Sequence, residues 1–404
     1  MKPNHALGIG AIALAWACAA ALPGVRAQNG PPLAPAPPPP EAVIRFSYSG
    51  NVAQVPAQFI GNLIFLPARV NLSQPSLFEL DTTSPVSSLD PQRAAELGIT
   101  SFRAPVLNLT DVDIHLPELG SVANRDFGIR VGHTYEGTIG NDVFSGAVVE
   151  LDYGRQTVRM YDPAAFQYRG SGKSFPLTMR DGMPAVKAKI TVAGHKSGEV
   201  LFILNTALDI PLVISDHFAQ QHHFFSSHMK TVPIAPGELG IGGNAVMARI
   251  EDFQIGPYEV EGPLAAFAQG KLSSADDSQV AGEIGGGMLR RFTLTLDYAR
   301  QVAIFDSNSE IRTDDHEDMS GISVAASGPN LKTFEVTQVR PGSPGADAGV
   351  QKGDVIAGVD DEAAADMNLS ALRNLFRQVG HKYKLLVERG GKTLTINITM
   401  RRSI

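Results

Sequence analysis

Residues 77–83, LFELDTT, decide how this chain is interpreted. An apolar run leads into a carboxylate and a threonine, which predicts a buried strand that delivers a polar side chain into a tight turn. The pattern returns at residues 201–207, LFILNTA. The second copy has an amide, Asn205, where the first copy has the carboxylate of Asp81.

A second pair of matching blocks follows the two copies in the same order. IG at 139–140 precedes LDYGRQ at 151–156, and IG at 284–285 precedes LDYARQ at 296–301. Two markers that recur in one order predict a tandem duplication of a β-rich unit. The aspartates of the LDY blocks are predicted to be hairpin residues.

The first 27 residues predict a secretory signal peptide. Lys2 gives a positive start, residues 7–22 are apolar, and small residues precede a cleavage point near Ala27. We therefore expect a periplasmic or secreted protein. No later apolar run has the length of a membrane-spanning helix.

Cleavage there would remove the only cysteine, Cys18, and the only tryptophan, Trp16. A lipid anchor at Cys18 is disfavoured, because Trp16 stands where a lipoprotein signal has a small residue. A chain without cysteine favours an envelope compartment over a disulfide-rich extracellular module. Losing Lys2 and Arg26 but no acid moves the formal charge from −7 to −9, which disfavours nucleic acid or anionic lipid as a partner.

The 404 residues suffice for two or three domains. The predicted order is a signal peptide (1–27), a proline-rich linker (28–42), a first β-rich lobe (43–170), a second lobe (171–308), an acidic linker (309–318) and a small α+β unit (319–404).

Three helices are predicted. One follows each motif, at 90–97 with Asp90 as its cap and at 215–223 with Ser215 as its cap. The third lies in the last unit, around 369–379.

The two motifs, each followed by a helix and a hydrophobic-Gly pair, resemble the retropepsin-like and pepsin-like aspartic peptidases over residues 43–306. The resemblance implies a mainly β fold with a two-lobed, acid-protease-like pair of β-barrels in one monomer, and no cofactor. Positions 81 and 205 would meet between the lobes, where the hydroxyls of Thr82 and Thr206 cross-link the two loops.

Aspartic peptidases hold a water between two carboxylates that share one proton. Asn205 has no titratable proton, so we expect proteolysis to be weak or lost, since each acid–base group contributes about a hundred- to ten-thousand-fold. Thr83 stands where the family has glycine, and its branched side chain is expected to suit neither the crowding nor the dihedral angles of the turn. Nothing places Asp209, a nearby carboxylate, opposite Asp81.

Two functional interpretations stay open. One is a non-catalytic, peptide-binding descendant, and the other is an active aspartic endopeptidase of the cell envelope whose PDZ domain captures the substrate. Asp81 and Asn205 could also be plain turn residues that accept backbone N–H bonds.

Residues 339–361, VRPGSPGADAGVQKGDVIAGVDD, resemble the PDZ domains of bacterial envelope proteins. The resemblance implies that a peptide, or an unfolded segment, adds as a strand and that backbone N–H groups of a loop hold its C-terminal carboxylate. By position, the pocket residues are Met319, Ser320, Gly321 and Ile322 in the loop, with Leu372 or Leu375 on the helix.

Two further patterns are interpreted as structural. Four histidines, at 217, 222, 223 and 228, have poor spacing for one metal site, so a surface position or interlobe packing is predicted, and no metal. GIGGNA at 240–245 departs from a dinucleotide fingerprint and is predicted to be a hairpin tip, part of a flap.

Overall fold

The computed structural model describes residues 42–47, 50–225, 229–234, 243–270 and 278–404, without the side chains of residues 125, 126, 130 and 329. The predicted signal peptide, nearly all of the proline-rich linker, His228 and residues 240–242 of the predicted flap lie outside these ranges. No helix within these ranges is long and apolar enough to cross a membrane.

The first lobe is built from short strands whose apolar residues face a shared core. Its strands are β1 Val43–Phe46, β2 Val52–Val55, β3 Gln58–Ile60, β4 Leu63–Val70, β5 Ser76–Leu80, β6 Ser88–Leu89, β7 Val106–Leu109, β8 Val112–His115, β9 Gly120–Ser121, β10 Gly137–Ile139, β11 Val148–Asp152 and β12 Thr157–Tyr161. Nine of them form one sheet, in the order β1-β8-β7-β4-β5-β10-β6-β9 with β3 on β4.

The second lobe repeats this plan. Its strands are β13 Lys173–Pro176, β14 Thr178–Arg180, β15 Met183–Val192, β16 His195–Lys196, β17 Val200–Asn205, β18 Leu212–Ile214, β19 Val232–Ile234, β20 Ala245–Arg249, β21 Asp252–Ile255, β22 Tyr258–Glu261, β23 Leu264–Ala268, β24 Val280–Gly285, β25 Phe292–Asp297 and β26 Val302–Ser307. Eleven of them form a sheet, in the order β19-β20-β23-β18-β24-β17-β15-β21-β22 with β14 and β16 on β15.

The duplication is visible in matching strand arrangements and matching hairpins. In each lobe the motif strand pairs in parallel with a strand that leads into the Ile-Gly pair, β5 with β10 and β17 with β24. In each LDY hairpin the aspartate accepts the backbone N–H three residues on, Asp152 from Arg155 and Asp297 from Arg300. The prediction that these aspartates are hairpin residues is confirmed.

Both lobes contribute strands to a third, six-stranded sheet, in the order β13-β26-β25-β11-β12-β2. β11 of the first lobe pairs antiparallel with β25 of the second. The two lobes therefore share hydrogen bonds as well as a hydrophobic core.

The helices are short. They are α1 Pro91–Glu96, α2 Asn124–Val131, α3 Asn141–Gly146, α4 Asp216–Gln221, α5 Gly286–Leu289, α6 Pro344–Asp347 and α7 Leu369–Leu375. The predicted caps Asp90 and Ser215 are confirmed, since both side chains accept N–H groups of the first turn. The third predicted helix is shorter than expected and ends at Leu375.

The last unit is a separate small sheet with its own core. Its strands are β27 Ile322–Ser327, β28 Thr333–Val339, β29 Val355–Val359, β30 Glu362–Ala363, β31 Lys382–Arg389 and β32 Lys392–Thr399. They follow the order β27-β28-β29-β31-β32, with β30 on β29.

The predicted acidic linker at 309–318 is held against the second lobe. It begins as a 3₁₀ turn, Ser309–Arg312. Asp315 then accepts from Arg291 at 2.8 Å, and Glu317 lies 3.4 Å from Arg249. The two acids are buried and paired with lobe arginines. This linker is therefore packed against the second lobe.

Candidate functional site

The two motif loops meet between the lobes and are cross-linked by their threonines. The Thr82 hydroxyl donates to the carbonyl of Leu204 and the Thr206 hydroxyl to that of Leu80, both at 2.6 Å. In return, the Thr82 N–H donates to Thr206 Oγ1 and the Thr206 N–H to Thr82 Oγ1. Both threonines are fully buried. This reciprocal pattern brings residues 81 and 205 to one place, which we call the interlobe site.

Asp81 is partly exposed at this site, and the residue after Thr82 holds its carboxylate. Asp81 Oδ1 accepts the N–H and the hydroxyl of Thr83, each at 2.7 Å. Burial raises the pKa of Asp81, while the bonds from Thr83 act in the opposite direction. The expectation that Thr83 disturbs the turn is wrong, because its φ is not positive and its hydroxyl adds a donor.

Asn205 is held at both ends of its side-chain amide. Its Oδ1 accepts the Ala207 N–H at 2.9 Å, which matches the bond from Thr83 to Asp81 in the first lobe. Its Nδ2 donates to Glu283 Oε2 at 2.6 Å. The amide therefore keeps the position of the second motif residue but brings no acidic proton to it.

Two buried glutamates lie close to Asp81 in addition to the motif residues. Burial, assisted by the charge of Asp81, raises the pKa of Glu79 to about 8, and a bond from Tyr135 opposes that rise. Burial likewise raises the pKa of Glu283 to about 7, with the Asn205 bond opposing and the Asp81 charge assisting. The interlobe site thus gathers three carboxyl groups.

The sequence analysis did not identify either glutamate. Glu79 was visible as a charged residue inside the apolar strand LFELD, which is a usable signal because such residues are seldom buried without a role. Glu283 gave a similar signal in VAGEIG, but its contact with Asn205 joins residues 78 apart in sequence and needs the strand pairing to be seen.

Tyr298, from the second LDY block, also lies near Asp81. Its hydroxyl donates to Asn141 Oδ1 at 3.0 Å, and its ring stacks on Phe144. Burial, with the Asp81 charge as a smaller cause, raises the pKa of Tyr298 far above its usual range. The phenol therefore keeps its proton at any ordinary pH.

Asp209, two residues after the second motif, bonds to Asn62 and not to the motif residues. Its Oδ1 accepts both the backbone N–H and the side-chain Nδ2 of Asn62, each at 2.9 Å. With these bonds Asp209 fixes the turn of Asn62 and does not replace the second acid.

Of the four histidines, His217 and His223 are exposed, and His222 packs against aromatic rings. His222 lies 4.3 Å from Phe218 and 5.4 Å from Phe224, measured between ring centroids. The predicted flap is flanked by β19 and β20, which pair antiparallel as the two arms of a hairpin.

The loop predicted to hold a peptide carboxylate already bonds to a carboxylate of this chain. Asp318 Oδ1 accepts the Ser320 N–H at 2.8 Å, the Ser320 hydroxyl at 2.5 Å and the Gly321 N–H at 3.1 Å. The Ile322 N–H donates to Ser320 Oγ. The N–H groups on which the predicted capture depends are therefore occupied by nearby side chains.

A cavity of about 430 Å³ lies between this loop, helix α7 and the second lobe. Gly321, Ile322 and Leu372 line it, whereas Met319, Ser320 and Leu375 do not. Asp209 and the acidic segment from Thr313 to Asp318 form part of its wall, and the interlobe site is not part of it. The predicted pocket residues thus divide into lining residues and residues of the core behind them.

The geometry of the two lobes defines the class of the scaffold. Two β lobes are cross-linked through paired threonine loops and share a six-stranded sheet, which is the arrangement of an aspartic-peptidase-like fold.

Comparison with known proteins gives one family match and several partial structural likenesses. Residues 335–389 match the family described as PDZ domain. A photosystem II D1 C-terminal processing protease shares 26% identity over 21% of this chain and 23% of its own, with a TM-score of 0.19. A retropepsin-like aspartic protease from Rickettsia conorii shares 18% over 34% of this chain and 96% of its own, with a TM-score of 0.25.

An aspartic proteinase from Irpex lacteus shares 13% identity over 65% of this chain and 99% of its own, with a TM-score of 0.41. No curated protein gives a significant match. By the geometry of its lobes the chain has an aspartic-protease-like, mainly β scaffold, and its C-terminal residues 335–389 form a PDZ domain.

Proposed function

We propose that this chain binds peptides at the interlobe site and at its PDZ domain, and that hydrolysis by a pair of aspartates is lost. The observation that carries the proposal is the amide of Asn205. Its two polar atoms are bonded to Ala207 and Glu283 in the position of the second motif residue. The loop geometry is therefore kept while one of the two acids is absent.

The cross-linked loops support peptide binding rather than a collapsed remnant. Asp81 and Asn205 are only partly buried, although Thr82 and Thr206 beneath them are fully buried. Accessible polar groups that are held in place by buried, cross-linked loops are suited to hydrogen bonding with an extended peptide backbone. Export of the protein rests on the sequence of residues 1–27 alone and stays a prediction.

The test uses the full chain and a mixture of extended peptides. Binding is measured by calorimetry with a peptide in which a tetrahedral, hydroxyl-bearing carbon replaces the scissile carbonyl and so mimics the reaction intermediate. Cleavage is measured by mass spectrometry. We expect the unchanged protein to bind, and Asn205→Asp to cleave about a hundred- to ten-thousand-fold faster than it does. Asp81→Ala in the Asn205→Asp background is the matched control and should abolish that gain.

Equal cleavage by the unchanged protein and by Asn205→Asp would contradict the loss of hydrolysis. Cooperative unfolding of the unchanged protein and of its variants shows that they are folded. If the folded protein then binds no peptide, the binding proposal is contradicted.

A further inference from the structure

The second lobe still brings a carboxyl group to the interlobe site, from a strand outside its motif. Glu283 lies on β24 opposite Ile203 of β17, and Gly285 lies opposite Asn205. Residues two apart on a strand face the same side of the sheet. Glu283 and Asn205 therefore share a face, which is why their side chains meet at 2.6 Å.

The first lobe has its extra acid at a different place in the same strand pair. There Thr138 of β10 lies opposite Glu79 of β5. Aligning the Ile-Gly pairs makes Thr138 the counterpart of Glu283, and aligning the motifs makes Ile203 the counterpart of Glu79. Each lobe thus has one acid at this pair of facing positions, Glu79 in the first lobe and Glu283 in the second. Glu283 is the acid that contacts the motif loop without an aspartate.

The environment of Glu283 is that of a group able to hold a proton. The residue is 4% exposed, and the hydrogen bond that its Oε2 accepts from the described part of the chain comes from an uncharged amide rather than from a cation. Burial raises its pKa to about 7, so both forms of the carboxyl are populated near neutral pH. General acids and bases are most effective when their pKa lies near the working pH.

The other ionisable groups around Asp81 are differently placed. Glu79 lies on β5, two residues before Asp81 in the same lobe, and Tyr135 bonds to it. The Tyr298 hydroxyl donates a hydrogen bond to Asn141, and burial raises the pKa of this phenol. Among these neighbours, Glu283 is the one that comes from the second lobe and is bonded to its motif residue.

We propose that Glu283 takes the place of the missing second aspartate, with Asn205 positioning it, and that the interlobe site thereby hydrolyses bound peptides slowly. This inference rests on the proposed binding of peptides at the same site. The expected rate is low, because Glu283 is buried whereas the amide of Asn205 to which it is bonded is partly exposed.

The proposed reaction balances with one water molecule. The water oxygen attacks the peptide carbonyl carbon, Asp81 takes a proton from that water, and Glu283 gives its proton to the carbonyl oxygen. The C–N bond then breaks as Asp81 passes its proton to the leaving nitrogen, and Glu283 recovers a proton from one hydroxyl of the intermediate. The products are a carboxylic acid and an amine.

The test compares the unchanged full chain with Glu283→Gln, which can still accept the Asn205 bond but cannot carry the proton. The control is Glu150→Gln, a partly buried glutamate that is bonded to Arg159 in the shared sheet. Cleavage of a peptide mixture is followed across the pH range that spans carboxyl ionisation. We expect slow, Asp81-dependent cleavage whose profile contains an ionisation near pH 7.

Glu283→Gln should lower cleavage by about a hundredfold or more and remove that ionisation, whereas Glu150→Gln should leave both unchanged. A purely structural role of Glu283 would change the rate without removing an ionisation, and that result overturns the inference. If Glu283→Gln does not fold, the unchanged protein decides, because a profile without an ionisation near neutrality also overturns it.

Failure of the two proposals can be told apart. Peptide binding without any cleavage overturns the role of Glu283 and leaves the proposed peptide binding intact. Absence of both binding and cleavage overturns the two together.

Discussion

Replacing Thr206 with valine tests whether the threonine cross-link holds the two lobes in register. Valine keeps the shape of threonine but removes the hydroxyl, which donates to the Leu80 carbonyl and accepts the Thr82 N–H. Both partners then stay buried without a hydrogen bond, at a cost of about 1–3 kcal/mol each. The sum is a destabilisation of roughly 2–6 kcal/mol, large against a total stability of about 5–15 kcal/mol.

The assay is equilibrium unfolding in urea, followed by circular dichroism and by tyrosine fluorescence. The control is Thr206→Ser, which keeps the hydroxyl and loses one methyl group, so its midpoint should stay much closer to that of the unchanged protein. If the valine variant unfolds at the same urea concentration as the serine variant, the cross-link does not stabilise the lobes and the reasoning is refuted.

Three further predictions follow from other contacts. Asp318→Ala frees the N–H groups of Ser320 and Gly321, so we expect calorimetry to show about tenfold tighter binding of peptides with a free C-terminal carboxylate, and unchanged affinity would contradict the occupied loop. Because the pKa of Glu79 is raised from 4.5 to about 8, its protonated form stabilises the fold below pH 4.5, and that stability is lost as the pH rises through 8. Glu79→Gln should reduce this pH-dependent loss of stability in urea titrations. A variant with the same pH dependence as the unchanged protein would refute the prediction. Gly285→Ala would place a Cβ 2.2 Å from the Ile210 carbonyl oxygen, so we expect little soluble folded protein, and normal yield with an unchanged thermal midpoint would contradict the tight approach.

The sequence was sufficient for features that depend on local pattern or on repetition. The caps Asp90 and Ser215 were predicted because a capping residue and the turn that follows it are neighbours in the chain. The meeting of Thr82 with Thr206 was implied by the resemblance to aspartic peptidases, which the duplicated motif carries. In each case the information lies within a short stretch or in its copy.

Features that depend on distant packing were missed. Glu283 reaches Asn205 only because β24 pairs in parallel with β17, and no local pattern carries that register. Thr83 was expected to disturb its turn, whereas its hydroxyl became a second donor to Asp81. The segment at 309–318 has the charge of a solvated linker, and only the positions of Arg291 and Arg249 show where that charge is neutralised.

The sheet that both lobes share has a consequence for how the protein is made. β11 finds its neighbour β25 only after more than a hundred further residues have left the ribosome. Until then the first lobe presents an open strand edge, a surface prone to pairing with other chains. We therefore expect a fragment ending at residue 170 to aggregate when synthesised alone, and to become soluble when the second lobe is co-expressed with it.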